Sequence, residues 1–261
     1  MNIVVCLKQI PDLQQIRIKE RKPLVEGAPL VFGDMDKNAL EEAVRIKEKV
    51  EGAKVIALAM GGKKLKDGIK ESLAIGADEA VLLIDPLFAG SDGTSKAKAL
   101  AQAIEKIGEY DLILCGEGST DNYSGQTGPR LAEILDLPQI TYVRELELED
   151  GRIRAVRNME ESFEVVEADL PALVTVANEI NQPRLASLRD ILKAGRKPVQ
   201  EWTAADLGLS EDEVGVTGSL IELVSNLAPE QDRKQEVFTG DLDEVSENLI
   251  NALTKEGVLG R

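Results

Sequence analysis

Short apolar runs alternate with amphipathic stretches through the first half of this 261-residue chain, and that alternation restricts the folds open to it. Asn2–Leu7, Lys54–Met60, Glu79–Ile84 and Asp111–Cys115 read as buried strands rich in Val, Ile and Leu. Between them, Lys37–Val50, Lys63–Ile75, Ser95–Ile107 and Thr127–Leu135 carry apolar residues at helical spacing, and Gly76 marks a helix stop. Strand and helix repeated in this way imply parallel pairing through right-handed crossovers, with helices on both faces. The expected fold is a doubly wound, mainly parallel, Rossmann-like α/β sheet. Asp12–Met35 reads as a loop or hairpin insertion in it.

The pattern changes after Leu137. Asp150-Gly151 stands between two alternating runs and predicts a hairpin. Phe163–Ala168 and Ala172–Ala177 read as strands and Ala186–Ala194 as a helix. From Pro198 to Gly240 apolar residues thin out among prolines and glycines, and a last amphipathic helix follows at Asp241–Glu256. A segment so sparse cannot form a core of its own, so an extended arm lying on another surface is expected. The predicted organisation is an α/β domain over residues 1–197 and an arm with its helix over 198–261.

Charge and composition exclude several function classes. A net charge of −16 argues against nucleic acid, whose phosphates demand Lys and Arg. One basic cluster, Arg184, Arg189, Lys193, Arg196 and Lys197, reads as a solvated helix face or a docking patch for an acidic partner. With no histidine, Ser–His–Asp and Cys–His chemistry is unavailable and a zinc site is not expected. Cys6 and Cys115 sit in apolar runs without ligand spacing and read as buried free thiols. No run reaches the ~20 apolar residues of a membrane span. The chain opens directly on an apolar strand rather than a signal peptide, so a cytoplasmic protein is expected, with membrane association only through a partner complex.

The candidate site lies in Leu112–Leu135, where an apolar run ends at Gly116 and a polar loop opens into a helix. Such a unit aims backbone N–H groups and the positive helix end at one place, which suits phosphate. Gly116-x-Gly118 lacks the third glycine of a dinucleotide fingerprint, and Gly61-Gly62-Lys63-Lys64 lacks the spacing and Ser/Thr of a Walker loop. Ser119, Thr120, Asn122, Tyr123, Ser124, Gln126 and Thr127 supply polar groups, and Gly125 and Gly128 would let a ligand approach the backbone. The competing reading is a helix capped by Ser124 or Thr127 with no ligand. Gly90–Ser95 also leads into a helix and faintly resembles the loop of ATP pyrophosphatases, which would suggest an adenylating enzyme; an N-cap is the simpler reading.

Three separated stretches resemble the beta subunit of electron transfer flavoproteins. They are the opening VVCLKQIPD with Lys8, the loop DNYSGQTG at Asp121–Gly128, and Arg157–Thr175 with Asn178–Arg184. The third contains Glu164-x-Val166, Pro171-Ala172-Leu173-Val174-Thr175 and NQPR. ALEEAVRIKE and LAIGADEA extend the likeness over nearly the whole chain. Two departures stand out: Gly33-Asp34-Met35-Asp36 replaces an Asn-Pro-aromatic segment, and Glu160-Glu161-Ser162 replaces an Asp/Gly pair.

The resemblance implies an adenine-nucleotide hydrolase-like fold and a heterodimer with an FAD-holding alpha subunit embraced by the arm. It implies that Cys6, Asp34, Met35, Asp36 and Met60 line a nucleotide together with Asp121, Asn122, Tyr123, Ser124, Gly125, Gln126, Thr127 and Gly128. That nucleotide is AMP in housekeeping members and a second FAD, oxidising NADH, in electron-bifurcating ones. This chain looks more like the nitrogen-fixation branch, which works with quinone-reductase and ferredoxin-like subunits; other members serve acyl-CoA dehydrogenases. Glu164 would face an arginine of alpha, and Ile180, Asn181, Pro183 and Arg184 would form the partner-recognition loop, with Ile180 as its apolar anchor. The absence of histidine agrees, because a flavin performs its own chemistry.

Overall fold

The computed structural model describes residues 1–230 and 233–259. In chain order, β1 (Asn2–Leu7) is followed by three short strands and a fourth: β2 (Gln9–Pro11), β3 (Arg17–Lys19), β4 (Lys22–Leu24) and β5 (Leu30–Phe32). Then come α1 (Asp34–Lys49), β6 (Lys54–Met60), α2 (Leu65–Ile75), β7 (Glu79–Leu83), α3 (Gly93–Ile107), β8 (Leu112–Gly116) and α4 (Thr127–Ile134). The second half holds β9 (Gln139–Glu149), β10 (Arg152–Asn158), β11 (Phe163–Asp169), β12 (Ala172–Val176), α5 (Leu188–Ala194), β13 (Val199–Trp202) and α6 (Leu242–Lys255).

Nine strands form one sheet in the order β11-β10-β9-β12-β8-β1-β6-β7-β13. It is parallel from β9 to β13, and β10 and β11 extend it antiparallel. This is the mainly parallel, doubly wound α/β fold that the alternation implies. Val, Ile and Leu on both faces of β1, β6, β7 and β8 bury against two helix layers. α1 and α2 cover one face, including Ile3, Val5 and Leu114; α3 and α4 cover the other, including Val4, Cys6, Ile113 and Cys115.

The Asp12–Met35 insertion contains the hairpin β3–β4, turned by Glu20 and Arg21 at positive φ. It ends earlier than expected, because α1 starts at Asp34. Gly33 precedes it in extended conformation, and Asp34 places negative charge in its first turn, where Asp36 also stands. Asp150 and Gly151, both at positive φ, turn β9 into β10.

The arm expectation requires a correction. Val199–Trp202 is not extended chain on a foreign surface: it is an edge strand parallel to β7. Ala204, Leu207, Leu209 and Val214 are buried in the chain's own core. The exposed segment therefore begins near Leu220 rather than Pro198, and α6 stands beyond it with no buried residue. Residues 231 and 232 of the expected arm lie outside the described residues. Among the described residues no helix is long and apolar enough to cross a membrane.

Candidate functional site

β1 lies between β8 and β6, so the crossovers leave its carboxyl end in opposite directions, and ligands of doubly wound sheets gather at such a place. Lys8 follows β1 and Gly116 ends β8, and the loop to α4 hangs over both. The Lys8 backbone N–H donates to Asp36 Oδ2 at 2.7 Å. Its ammonium donates to both Asp121 carboxylate oxygens at 2.7 Å and to Ser119 Oγ at 3.0 Å.

Burial pushes the Asp36 carboxyl up to about 7, against the lowering pull of the Lys8 and Gly116 amides. Burial works in the same direction on Asp121, but there the bonds and the charge of Lys8 win and hold it below the usual carboxylate range.

Within the loop, Ser119 organises the turn. Its carbonyl accepts the Tyr123 N–H at 2.7 Å, and its hydroxyl donates to Asn122 Oδ1 at 3.0 Å. Tyr123 has φ 42° and Gly125 φ 63°, so the chain doubles back before α4. The Tyr123 hydroxyl donates to Glu117 Oε1 at 2.8 Å, which pushes the phenol up to about 12. Asp121, Asn122, Tyr123, Ser124 and Gln126 are exposed, and Thr127 opens the helix.

Two helix N-termini meet here and differ in one respect. Asp92 caps α3, accepting from the Thr94 and Ser95 amides at 2.9 Å. At α4, preceded by Gln126, no side chain among the described residues caps the first turn, so neither Ser124 nor Thr127 fills that role. Cations surround this open end. Arg130 donates to Thr94 Oγ1 at 2.5 Å and to Gln126 Oε1 at 2.6 Å, both neutral partners. Lys96, on the first turn of α3, is held below its usual pKa first by burial and then by the charge of Lys8.

The Gly90–Ser95 loop is already engaged by the chain itself. Ser91 Oγ accepts the Gly215 N–H at 2.8 Å, Ser95 Oγ donates to the Gly218 carbonyl at 2.7 Å, and Asp92 accepts the Leu220 N–H at 3.0 Å. It serves as a cap and as an anchor for the segment after β13.

The other expected cofactor contacts divide. Met35 is buried and, with Glu117, Tyr123, Tyr142, Asn158, Ala177, Asn178 and Glu179, lines a cleft of about 210 Å3 beside the loop. Asp34 is exposed at the α1 start. Cys6 lies beneath the crevice in register with Cys115, whose thiol is pushed up by its bond with Cys6 and by burial. Met60 is half-buried one residue beyond the Leu7–Ala59 pair. At Gly128 a Cβ would lie 2.4 Å from Thr175 Cγ2, so packing of α4 on β12 by itself demands a glycine here.

The partner residues also divide. Glu164 pairs within the chain with Arg157 at 2.8 Å. Ile180 is half-buried, packed against the core. Asn181 bonds Asn38 and Glu42 of α1, and Arg184 bonds Glu41 at 2.8 Å and Glu48 at 2.5 Å, with Pro183 half-buried between them. The exposed apolar tip is further along: Leu185 is 96% exposed, Leu188 82% and Leu192 79%. Arg189, Lys193 and Arg196 flank it.

Lys96 and Arg130 had no signal in the linear sequence, because their approach depends on how α3 and α4 pack. Lys8 was visible as the residue following the first strand.

The electron transfer flavoprotein domain profile matches residues 24–207. An electron transfer flavoprotein subunit beta of Thermoanaerobacterium thermosaccharolyticum is 43% identical over 262 residues, covering 99% of this chain and 100% of the relative. Subunit CarD of the caffeyl-CoA reductase-Etf complex of Acetobacterium woodii is 35% identical over 262 residues, with 99% and 100% covered. Protein FixA of Sinorhizobium fredii is 34% identical over 263 residues, with 97% and 92% covered.

Proposed function

The chain belongs to the electron transfer flavoprotein family, and from that premise we propose that it is a beta subunit holding an adenine nucleotide at the α4 end. The observation that carries this reading is the uncapped α4 N-terminus, with Arg130 in its first turn reaching Thr94 in the first turn of α3, which also carries Lys96. An open helix end with cations at its rim suits a pyrophosphate or phosphate. The tight Ser119–Gly125 turn supplies polar groups for the remainder of the nucleotide.

FAD is the proposed occupant, with AMP the alternative. The cleft toward Tyr142 and Asn158 gives the larger molecule somewhere to extend. When bound, the flavin supplies hydride and single-electron chemistry. The protein's own part is to fix the phosphates through α4, Lys96 and Arg130, and to hold the loop through Lys8–Asp121 and Tyr123–Glu117.

In this reading a cytoplasmic heterodimer forms with an alpha subunit, which the segment after Leu220 and α6 clasp. The heterodimer takes electrons from NADH and passes them on by bifurcation through quinone-reductase and ferredoxin-like subunits. A non-bifurcating heterodimer serving an acyl-CoA dehydrogenase is the alternative. The relative named for a caffeyl-CoA reductase complex supports docking on an enzyme of CoA thioesters. Leu185, Leu188 and Leu192 with their basic flank would make that contact.

Co-expression with the alpha subunit, followed by denaturation and identification of released nucleotides, tests the proposal. Two FAD per heterodimer support the FAD reading, and one FAD with one AMP overturns it in favour of AMP. Arg130→Gln should deplete the beta nucleotide and leave alpha's FAD; unchanged contents would overturn the site.

A further inference from the structure

At the switch point the amides of Lys8 and Gly116 emerge from the ends of two neighbouring parallel strands. In doubly wound folds such amides commonly face a ligand phosphate. Here they face a carboxylate of the chain. Lys8 N–H donates to Asp36 Oδ2 at 2.7 Å, and the Gly116 amide adds a smaller pull on the same charge. The seat is closely fitted: a Cβ on Gly116 would stand 2.7 Å from Asp36 Oδ1 and 2.9 Å from Met35 Cβ. Asp36 is only 7% exposed, so its charge receives little help from water.

Lys8 carries this arrangement outward, since the residue whose amide holds Asp36 also sends its ammonium to Asp121 and Ser119. The groups facing Asp36 are Lys8 after β1, Cys115 on β8 and Asp121 in the loop.

We propose that Asp36 is a positioning residue that fills the switch-point anion seat from within the chain. It fixes Lys8 beneath the Asp121 loop and directs ligand phosphates to the α4 end. This rests on the nucleotide reading above. The seat explains why the phosphate-binding elements lie at α4, Lys96 and Arg130 rather than at the first strand's end.

The test uses the heterodimer with Asp36→Gly, which empties the seat, and Asp36→Asn, which keeps its shape without charge. Asp36→Gly should weaken AMP binding about ten-fold, and excess formate, a small carboxylate for the same amides, should restore most of it. Formate should also raise the melting temperature of Asp36→Gly without nucleotide, and leave wild type and Arg130→Gln unmoved. Wild-type affinity in Asp36→Gly, or a loss that formate does not touch, overturns the proposal. If Asp36→Gly does not fold, Asp36→Asn decides. The ratio of wild-type to Asp36→Asn AMP affinity should change between about pH 6 and about pH 8, because titration of the AMP phosphate itself cancels in the ratio; a ratio constant across that range overturns the assignment. Formate stabilisation in a protein whose AMP affinity ignores Arg130→Gln would keep the seat and sink the nucleotide site instead.

Discussion

Asn38 and Asn181 hold each other reciprocally. Asn38 Nδ2 donates to the carbonyl and side-chain oxygens of Asn181 at 2.8 and 3.0 Å, and Asn181 Nδ2 donates back to the Asn38 carbonyl at 3.0 Å. The helix that begins at the crevice beyond β1 and β8 thus also grips the loop leading to the exposed leucines. Glu41, one helical turn on from Asn38, continues the grip by accepting from Arg184.

Removing Arg184 should loosen that loop. Burial pushes Glu41 up, but bonds from Arg184 and Arg45 prevail and lower it below its ordinary 4.5. Arg184→Ala leaves this buried carboxylate with Arg45 alone and should cost about 1–3 kcal/mol. A group with a depressed folded pKa contributes stability above its unfolded value, which is lost as pH falls through the folded one. The difference between wild type and variant should therefore be full at neutral pH and shrink in acid below the ordinary Glu value. Denaturant titrations across that range measure it; an unchanged midpoint at neutral pH contradicts the latch.

Asp36 should act on stability in the opposite sense. Its carboxyl is raised from 3.8 to about 7, so the native state keeps a proton that the unfolded state releases between those values. Its contribution is full below the lower value and declines as pH rises to the upper one. Asp36→Asn keeps an oxygen for the Lys8 amide and carries no charge. It should match wild type in acid and exceed it above neutrality by on the order of 1–3 kcal/mol. Equal unfolding midpoints at alkaline pH would count against the burial argument.

Gly128→Ala should destabilise by about 1–3 kcal/mol, because the new methyl meets Thr175 Cγ2 at 2.4 Å. Thr175→Ser removes that carbon and keeps the oxygen that accepts the Tyr142 N–H. The double variant should recover much of the loss, and thermal melts of the four proteins give the coupling. Strict additivity would place the conflict elsewhere.

The two ends of the proposed docking loop should separate in function. Ile180→Ala trims a half-buried side chain packed on the core and should lower the melting temperature. Leu188→Ala trims a side chain 82% exposed and should leave stability within about 0.5 kcal/mol. Electron-transfer rates against partner concentration should fall for Leu188→Ala. A wild-type curve removes Leu188 from the docking surface.

Much of the fold was legible because the central strands are continuous apolar runs. Asn2–Leu7 and Lys54–Met60 fall on their expected bounds, and the left-handed pair at Asp150-Gly151 marks its hairpin. Val199–Trp202 escaped because an edge strand of four residues behind Pro198 has too few apolar positions for either period to show. Ala204, Leu207, Leu209 and Val214 are separate buried points whose low density resembled an arm. The Asp121–Gly128 loop announced itself through its small and polar residues. The cations that complete the site did not, since Lys96 and Arg130 stand on separate helices brought together by the sheet. At Gly128 composition suggests only a ligand reason for glycine, and the steric reason shows once α4 is seen packed on Thr175.

The exposed segment after Gly218 is fastened twice. The Leu220 amide is held by Asp92, and the Ala228 amide donates to the Arg21 carbonyl at 2.7 Å while Arg21 Nε donates back to the Ala228 carbonyl at 3.0 Å. Between these points Leu220, Ile221, Leu223 and Val224 stand open to water. A chain tethered at both ends samples far fewer shapes than a loose tail, so most of the disorder that docking would otherwise remove is already gone. Like a strung bow, the segment meets whatever surface covers it with both its ends already fixed.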